Sequence, residues 1–101
     1  MTAAVRIEKQ ETGAGGRYVG WIEGLEGEAE IVFTRLGPDS IRADHTFAPD
    51  TMRGTGVALA LVEHMVADAR ANAFKILARC PYIRAQFKRH PEWGDVVSLA
   101  P

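Results

Sequence analysis

Apolar and polar residues alternate along the first half of the chain, then change to helical spacing in the second. Val5 to Gln10 alternates and predicts a strand. Arg17 to Glu23 carries Tyr18, Val19, Trp21 and Ile22 and predicts a second, after the glycine-rich turn of Thr12 to Gly16. Gly24-Leu25-Glu26-Gly27 closes a hairpin onto a third strand, Glu28 to Leu36. In that strand Ala29, Ile31 and Phe33 share one face, and Glu28 and Glu30 the other. Gly37 to Ser40 is a turn by composition. Ile41 to Phe47 predicts a fourth strand, with Ile41, Ala43, His45 and Phe47 at odd positions and Arg42, Asp44 and Thr46 at even ones. Pro49 ends it.

From about Gly56 the period lengthens. Ala58, Leu61, Val62, Met65, Val66, Ala69 and Ala73 recur on one helical face, and Glu63, His64, Asp68 and Arg70 form the wet face. Asn72-Ala73 ends the helix. Phe74 to Cys80 predicts a fifth strand, parallel to the fourth because a helix joins them through a right-handed crossover. Pro81 suits the first turn of a second helix, Pro81 to Arg89, which His90-Pro91 stops. Trp93 to Pro101 reads as a tail with one weak apolar pair, Val96-Val97. Three antiparallel strands, a fourth, a crossover helix and a fifth strand make an α+β domain with a mixed sheet of about five strands.

A length of 101 residues predicts one domain spanning the chain, 1–101. Twelve basic and 13 acidic residues leave the net charge near zero, so no global pull toward nucleic acid or membrane is expected. Arg79, Arg84, Lys88 and Arg89 still crowd the C-terminal third. The single cysteine, Cys80, rules out an internal disulfide and a cysteine-based zinc site, and suits a reducing compartment. No apolar run is long enough to span a bilayer, and no basic-then-apolar leader opens the chain, so the cytoplasm is the expected location.

The chemistry concentrates in Met52 to Leu61, where an arginine and two glycines lead from the fourth strand straight into the helix. Strand, short loop, glycine turn and helix offer free N–H groups to a phosphate. The mononucleotide P-loop pattern is absent, and Gly54-Thr55-Gly56 would put the third glycine of a dinucleotide fingerprint at Leu59. The run does match Arg/Gln-x-x-Gly-x-Gly/Ala, as Arg53-Gly54-Thr55-Gly56-Val57-Ala58. His45-Thr46-Phe47, this loop, Cys80-Pro81-Tyr82 and His90-Pro91-Glu92-Trp93 occur in that order, and together the chain resembles the short, stand-alone N-acetyltransferase-domain proteins of the GNAT superfamily.

The resemblance implies an acetyl-CoA-dependent N-acetyltransferase with a GNAT-like sheet, acting on a small-molecule or peptide amine, as monomer or homodimer, without nucleic acid, membrane or metal. An acyl-CoA binding module, or a subunit needing a partner, is the alternative. Helices that larger members place between their first two strands are absent, as is most of their last hairpin. By resemblance, Arg53, Gly54, Thr55, Gly56, Val57 and Ala58 hold the pyrophosphate, and backbone groups of Thr46, Phe47 and Ala48 bond the pantetheine arm in a gap between the fourth and fifth strands.

Cys80 then lies near the thioester, at the start of a helix whose dipole favours a thiolate, or is a small buried apolar residue. His45 is a candidate base if it faces the cleft, and a structural histidine if it shares the face of Ile41; Asp44 is the second choice. Tyr82 is the candidate acid for the departing coenzyme thiolate, or a packing tyrosine. Arg84, Lys88 and Arg89 are candidates for the coenzyme 3′-phosphate, or a solvated helix face.

Overall fold

A computed structural model describes residues 4–101. Its elements in chain order are β1 (Val5–Glu11), β2 (Gly15–Ile22), β3 (Ala29–Gly37), β4 (Ser40–Phe47), α1 (Val57–Asn72), β5 (Lys75–Ala78), α2 (Pro81–Arg89) and β6 (Val97–Leu99). Short 3₁₀ turns at Asp50–Met52 and Pro91–Asp95 join them. The strands form one mixed sheet in sequence order, antiparallel through β4 and parallel from β4 to β6. No helix among the described residues is long and apolar enough to cross a membrane.

Alternation sorts the strands into two faces. Tyr18, Ile22, Ile31, Phe33, Ile41, Ala43, Ile76, Ala78 and Val97 join the buried residues of α1 and α2 in one continuous core. Both helices therefore cover the same face of the sheet. Val19, on the opposite face, is the one buried apolar residue outside that core among the described residues. The opposite face carries Arg6, Glu8, Gln10, Arg17, Trp21, Glu30, Val32, Thr34, His45 and Phe47, and no helix of the described residues lies on it. Its charges are paired, Arg17 of β2 to Glu28 and Glu30 at 2.8 Å each, and Arg42 to Asp44 within β4 at 2.6 Å.

The helix stripe is as its spacing predicts, with Leu61, Val62, Met65, Val66 and Ala69 buried. Gly20 lets α1 approach: a Cβ there would stand 3.3 Å from Leu61 Cδ2 and Val57 Cγ2. Asp68 departs from the expected wet face. It is half-buried and accepts from Tyr18 Oη at 2.7 Å, Lys9 Nζ at 2.8 Å and Asn72 Nδ2 at 2.6 Å. Burial pushes its carboxyl up, but the Lys9 and Tyr18 hydrogen bonds outweigh that and hold it below the ordinary range.

The C-terminal segment expected as a tail contains the sixth strand. Ile76 N–H donates to Val96 O at 2.8 Å, and Ala100 N–H to Ala78 O at 3.1 Å. Three residues carry too little alternation to announce a strand; pairing with β5 makes it one.

Candidate active site

Pairing between β4 and β5 runs from Ser40↔Lys75 to Ala43↔Ala78 and then stops. Arg79 and Cys80 both send their N–H to Ala43 O, at 3.1 and 3.0 Å. From Asp44 onward β4 pairs with β3 alone, as Val32↔His45, Ile31↔Thr46 and Glu30↔Phe47. Its other backbone edge has no strand against it, so the sheet opens into a gap between the C-terminal ends of β4 and β5.

A β-bulge shapes this gap. Phe33 pairs with Ala43 and Val32 with His45, leaving Asp44 as the extra residue. The bulge changes the phase of β4. Thr46 inherits the helix face of Ala43, while His45 and Phe47 pass to the opposite, exposed face. Strict alternation would have grouped His45 with Ile41 and Ala43. The structure instead separates His45 from the cleft floor formed by Thr46 and Cys80. Asp44 is spoken for: its carboxylate accepts from Arg42 Nε and Thr34 Oγ1, each at 2.6 Å. Burial raises its pKa, but the Arg42 and Thr34 hydrogen bonds prevail and the net shift is down, which leaves a weak base.

Cys80 is the N-cap residue of α2, and its thiol lies 3.3 Å from Thr46 Oγ1. It is buried against the core. The two residues bring the ends of β4 and β5 together on the helix side of the gap. Tyr82, the second residue of α2, is half-buried. Burial raises its phenol above the ordinary value, and Arg89 opposes that only in part, so the phenol keeps its proton at neutral pH.

The loop from β4 to α1 accounts for its backbone donors unevenly. Arg53 N–H donates to Asp50 O at 3.1 Å and Thr55 N–H to Met52 O at 3.2 Å, so the 3₁₀ turn consumes two of the six amides expected to face an anion. Val57 N–H makes a long bond of 3.3 Å to Thr55 Oγ1. The N–H groups of Gly54, Gly56, Ala58 and Leu59 have no hydrogen-bond partner among the described residues. No side chain caps α1. Gly54 and Gly56 have φ of 78° and 79°, a conformation that favours glycine. A Cβ at either would meet no atom within 4 Å, so the space above the loop is open. Arg53 is 82% exposed and paired only with the exposed Asp50, which leaves its guanidinium available.

These residues fit a pyrophosphate: free N–H groups at the start of a 16-residue helix, glycines that allow close approach, and an exposed cation at the rim. The gap beside them fits a narrow arm that can hydrogen-bond to an unpaired strand edge. Of the second-helix cations, Arg89 acts on Tyr82, whereas Arg84 and Lys88 do not share that cleft. Arg84 donates to Ala78 O and Ala100 O, at 3.3 and 2.9 Å, and with Lys88 lines the far side of α2.

Comparisons with known proteins bear on the family and the fold. A family model described as GCN5-related N-acetyl-transferase matches residues 17–96. The fold is similar to the solution structure, by NMR, of a GCN5-like candidate N-acetyltransferase from Staphylococcus aureus. That similarity has a TM-score of 0.64 and 26% identity, and covers 93% of this chain and 90% of the other. No curated protein matches the chain.

Proposed function

The chain belongs to the GCN5-related N-acetyltransferase family, and we propose that it binds acetyl-CoA across the α1 loop and the β4–β5 gap and transfers the acetyl group to an amine. The observation that carries this reading is the set of unpartnered amides at Gly54, Gly56, Ala58 and Leu59, beside a strand edge that β5 abandons. Those amides and Arg53 hold the pyrophosphate. The free edges of Thr46, Phe47 and Ala48 hold the arm and aim its acyl end at Cys80.

Bound there, acetyl-CoA supplies an acetyl group already activated as a thioester. The protein's own groups do the rest. Tyr82, kept protonated by burial, gives its phenolic proton to the departing thiolate. His45 stands exposed on the opposite face of β4, so it serves as the base only for an amine that reaches the acyl carbon from that side. Cys80 is the nucleophile within reach if the acetyl group passes through the protein.

Isothermal titration with acetyl-CoA tests the binding half. Saturable heat and a raised melting temperature are expected; a flat titration and an unmoved melting temperature at about 1 mM ligand would remove the reading. Mass spectrometry of the Cys80 peptide during turnover separates the routes, an acetylated peptide favouring the covalent one and an unmodified peptide the direct one. The uncovered sheet face favours a second reading, a coenzyme-binding subunit whose acceptor wall a partner supplies. Tight acetyl-CoA binding with no transfer to a broad panel of amines and peptides would favour it.

A further inference from the structure

Two exposed leucines stand in opposite charge settings. Leu99, 52% exposed, ends β6 and lines a cavity of about 730 Å³ between α2 and the C-terminal residues. Around it are Arg79, Arg84 and Lys88, with apolar Phe87 and Pro91, and no acidic side chain lines the cavity. Arg84 is committed to backbone carbonyls, but Arg79 and Lys88 have no hydrogen-bonded side-chain partner among the described residues. The groove is therefore apolar, cationic and unsatisfied. It lies along β6, the last strand of the sheet, whose outer edge pairs with no strand among the described residues.

Leu25, 38% exposed, is the counterpart. It tips the β2–β3 turn within Glu23-Gly24-Leu25-Glu26-Gly27-Glu28. Arg17 engages Glu28, while the carboxylates of Glu23 and Glu26 are exposed and have no ion-pair partner among the described residues. The turn is held in shape by Thr51 Oγ1, which donates to Glu26 O at 2.7 Å, and by Leu25 N–H, which donates to Ile22 O at 3.1 Å. An apolar side chain flanked by free carboxylates is the complement of an apolar groove flanked by free cations.

The two features cannot meet within one molecule. The turn follows β2 and precedes β3, and three strand spacings, roughly 14 Å, separate β3 from β6. They do share one end of the sheet, since β2, β4, β5 and β6 all run toward it. Two copies related by a two-fold axis at that end would exchange them reciprocally, turn to groove and groove to turn, and the contact closes.

We propose that the groove between α2 and β6 receives the Glu23–Glu28 turn of a second copy of this chain, with Leu25 against Leu99 and Phe87, and Glu23 and Glu26 against Arg79 and Lys88. The contact uses the β6 side of α2, and it lies at the same end of the sheet as the β4–β5 gap.

Analytical ultracentrifugation over micromolar to millimolar protein tests it. A reversible monomer–dimer equilibrium that weakens with added salt is expected. Lys88→Glu and Glu26→Lys, both at exposed positions, should each lower the association constant at least tenfold. The double charge swap should restore it to within threefold. Circular dichroism confirms that each variant is folded. A monomer at every concentration overturns the proposal, and so does a dimer indifferent to the single changes or one that the double swap leaves broken.

Discussion

The two ends of this sheet treat polar groups in opposite ways. Under α1, every polar group that enters the core finds a partner: Tyr18 is fully buried, yet its hydroxyl reaches Asp68, which also holds Lys9 and Asn72. No buried side-chain polar atom among the described residues lacks a hydrogen bond. At the C-terminal ends of β4 and β5 the backbone does the reverse. One strand edge, and the amides of Gly54, Gly56, Ala58 and Leu59, stand without protein partners. A backbone donor left unmade costs free energy unless water or a ligand meets it. The saturated end supplies stability, and the unsaturated end keeps its hydrogen bonds for something that arrives.

The sharpest way to break that contrast is at Gly56. Valine there must adopt a φ near 79°, which costs about 1–2 kcal/mol of stability, and no neighbouring atom clashes with it. Its side chain would fill the open notch instead. Gly56→Val is expected to weaken acetyl-CoA binding at least about 100-fold by titration, or about 2.7 kcal/mol, while the circular dichroism spectrum stays native. Unchanged affinity would show that the notch holds no phosphate.

The pattern of residues foretold much of this and missed the rest for physical reasons. Helix α2 runs from Pro81 to Arg89 as its proline and stop signal predict, and the other elements, β6 excepted, fall within a few residues of their expected bounds. Local chemistry dictates those. The bulge at Asp44 has no compositional mark, because it arises from how β3 and β4 register. Alternation therefore put His45 on the wrong side of the strand. The role of Asp68 was equally hidden: a polar residue at a helix edge reads as solvated until the Tyr18 beneath it is known. The glycine loop was legible because positive φ demands glycine. That two of its amides turn inward was not, since this depends on the 3₁₀ turn before it.

The saturated end breaks differently. Asp68→Ala leaves Tyr18 Oη without its buried acceptor and removes one of the two carboxylates near Lys9. A loss of about 2 kcal/mol is expected from urea unfolding, with acetyl-CoA affinity unchanged within twofold. A large loss of affinity would mean the two ends are coupled. The same residue predicts a pH dependence. Its carboxyl is held below the ordinary range in the folded state, so its contribution is present above the unfolded value near 4 and is lost as pH falls through the folded one. Asp44 adds a shift of the same sign. The urea midpoint should drop between about pH 5 and pH 3, and Asp68→Asn should flatten that drop.

Arg53 gives the smallest and most discriminating effect. Its only ion pair is with Asp50, and both side chains are almost wholly in water, so the pair adds little to stability. Arg53→Ala should leave the unfolding midpoint where it is. If the guanidinium swings onto a pyrophosphate, coenzyme affinity should fall about three- to tenfold, with a shallower dependence on salt because one charge contact is gone. If the backbone amides and the helix dipole do all the holding, the variant will bind as the parent does at every ionic strength. Titrations of both proteins at low and high salt decide between side-chain charge and bare backbone as the source of anion affinity at this loop.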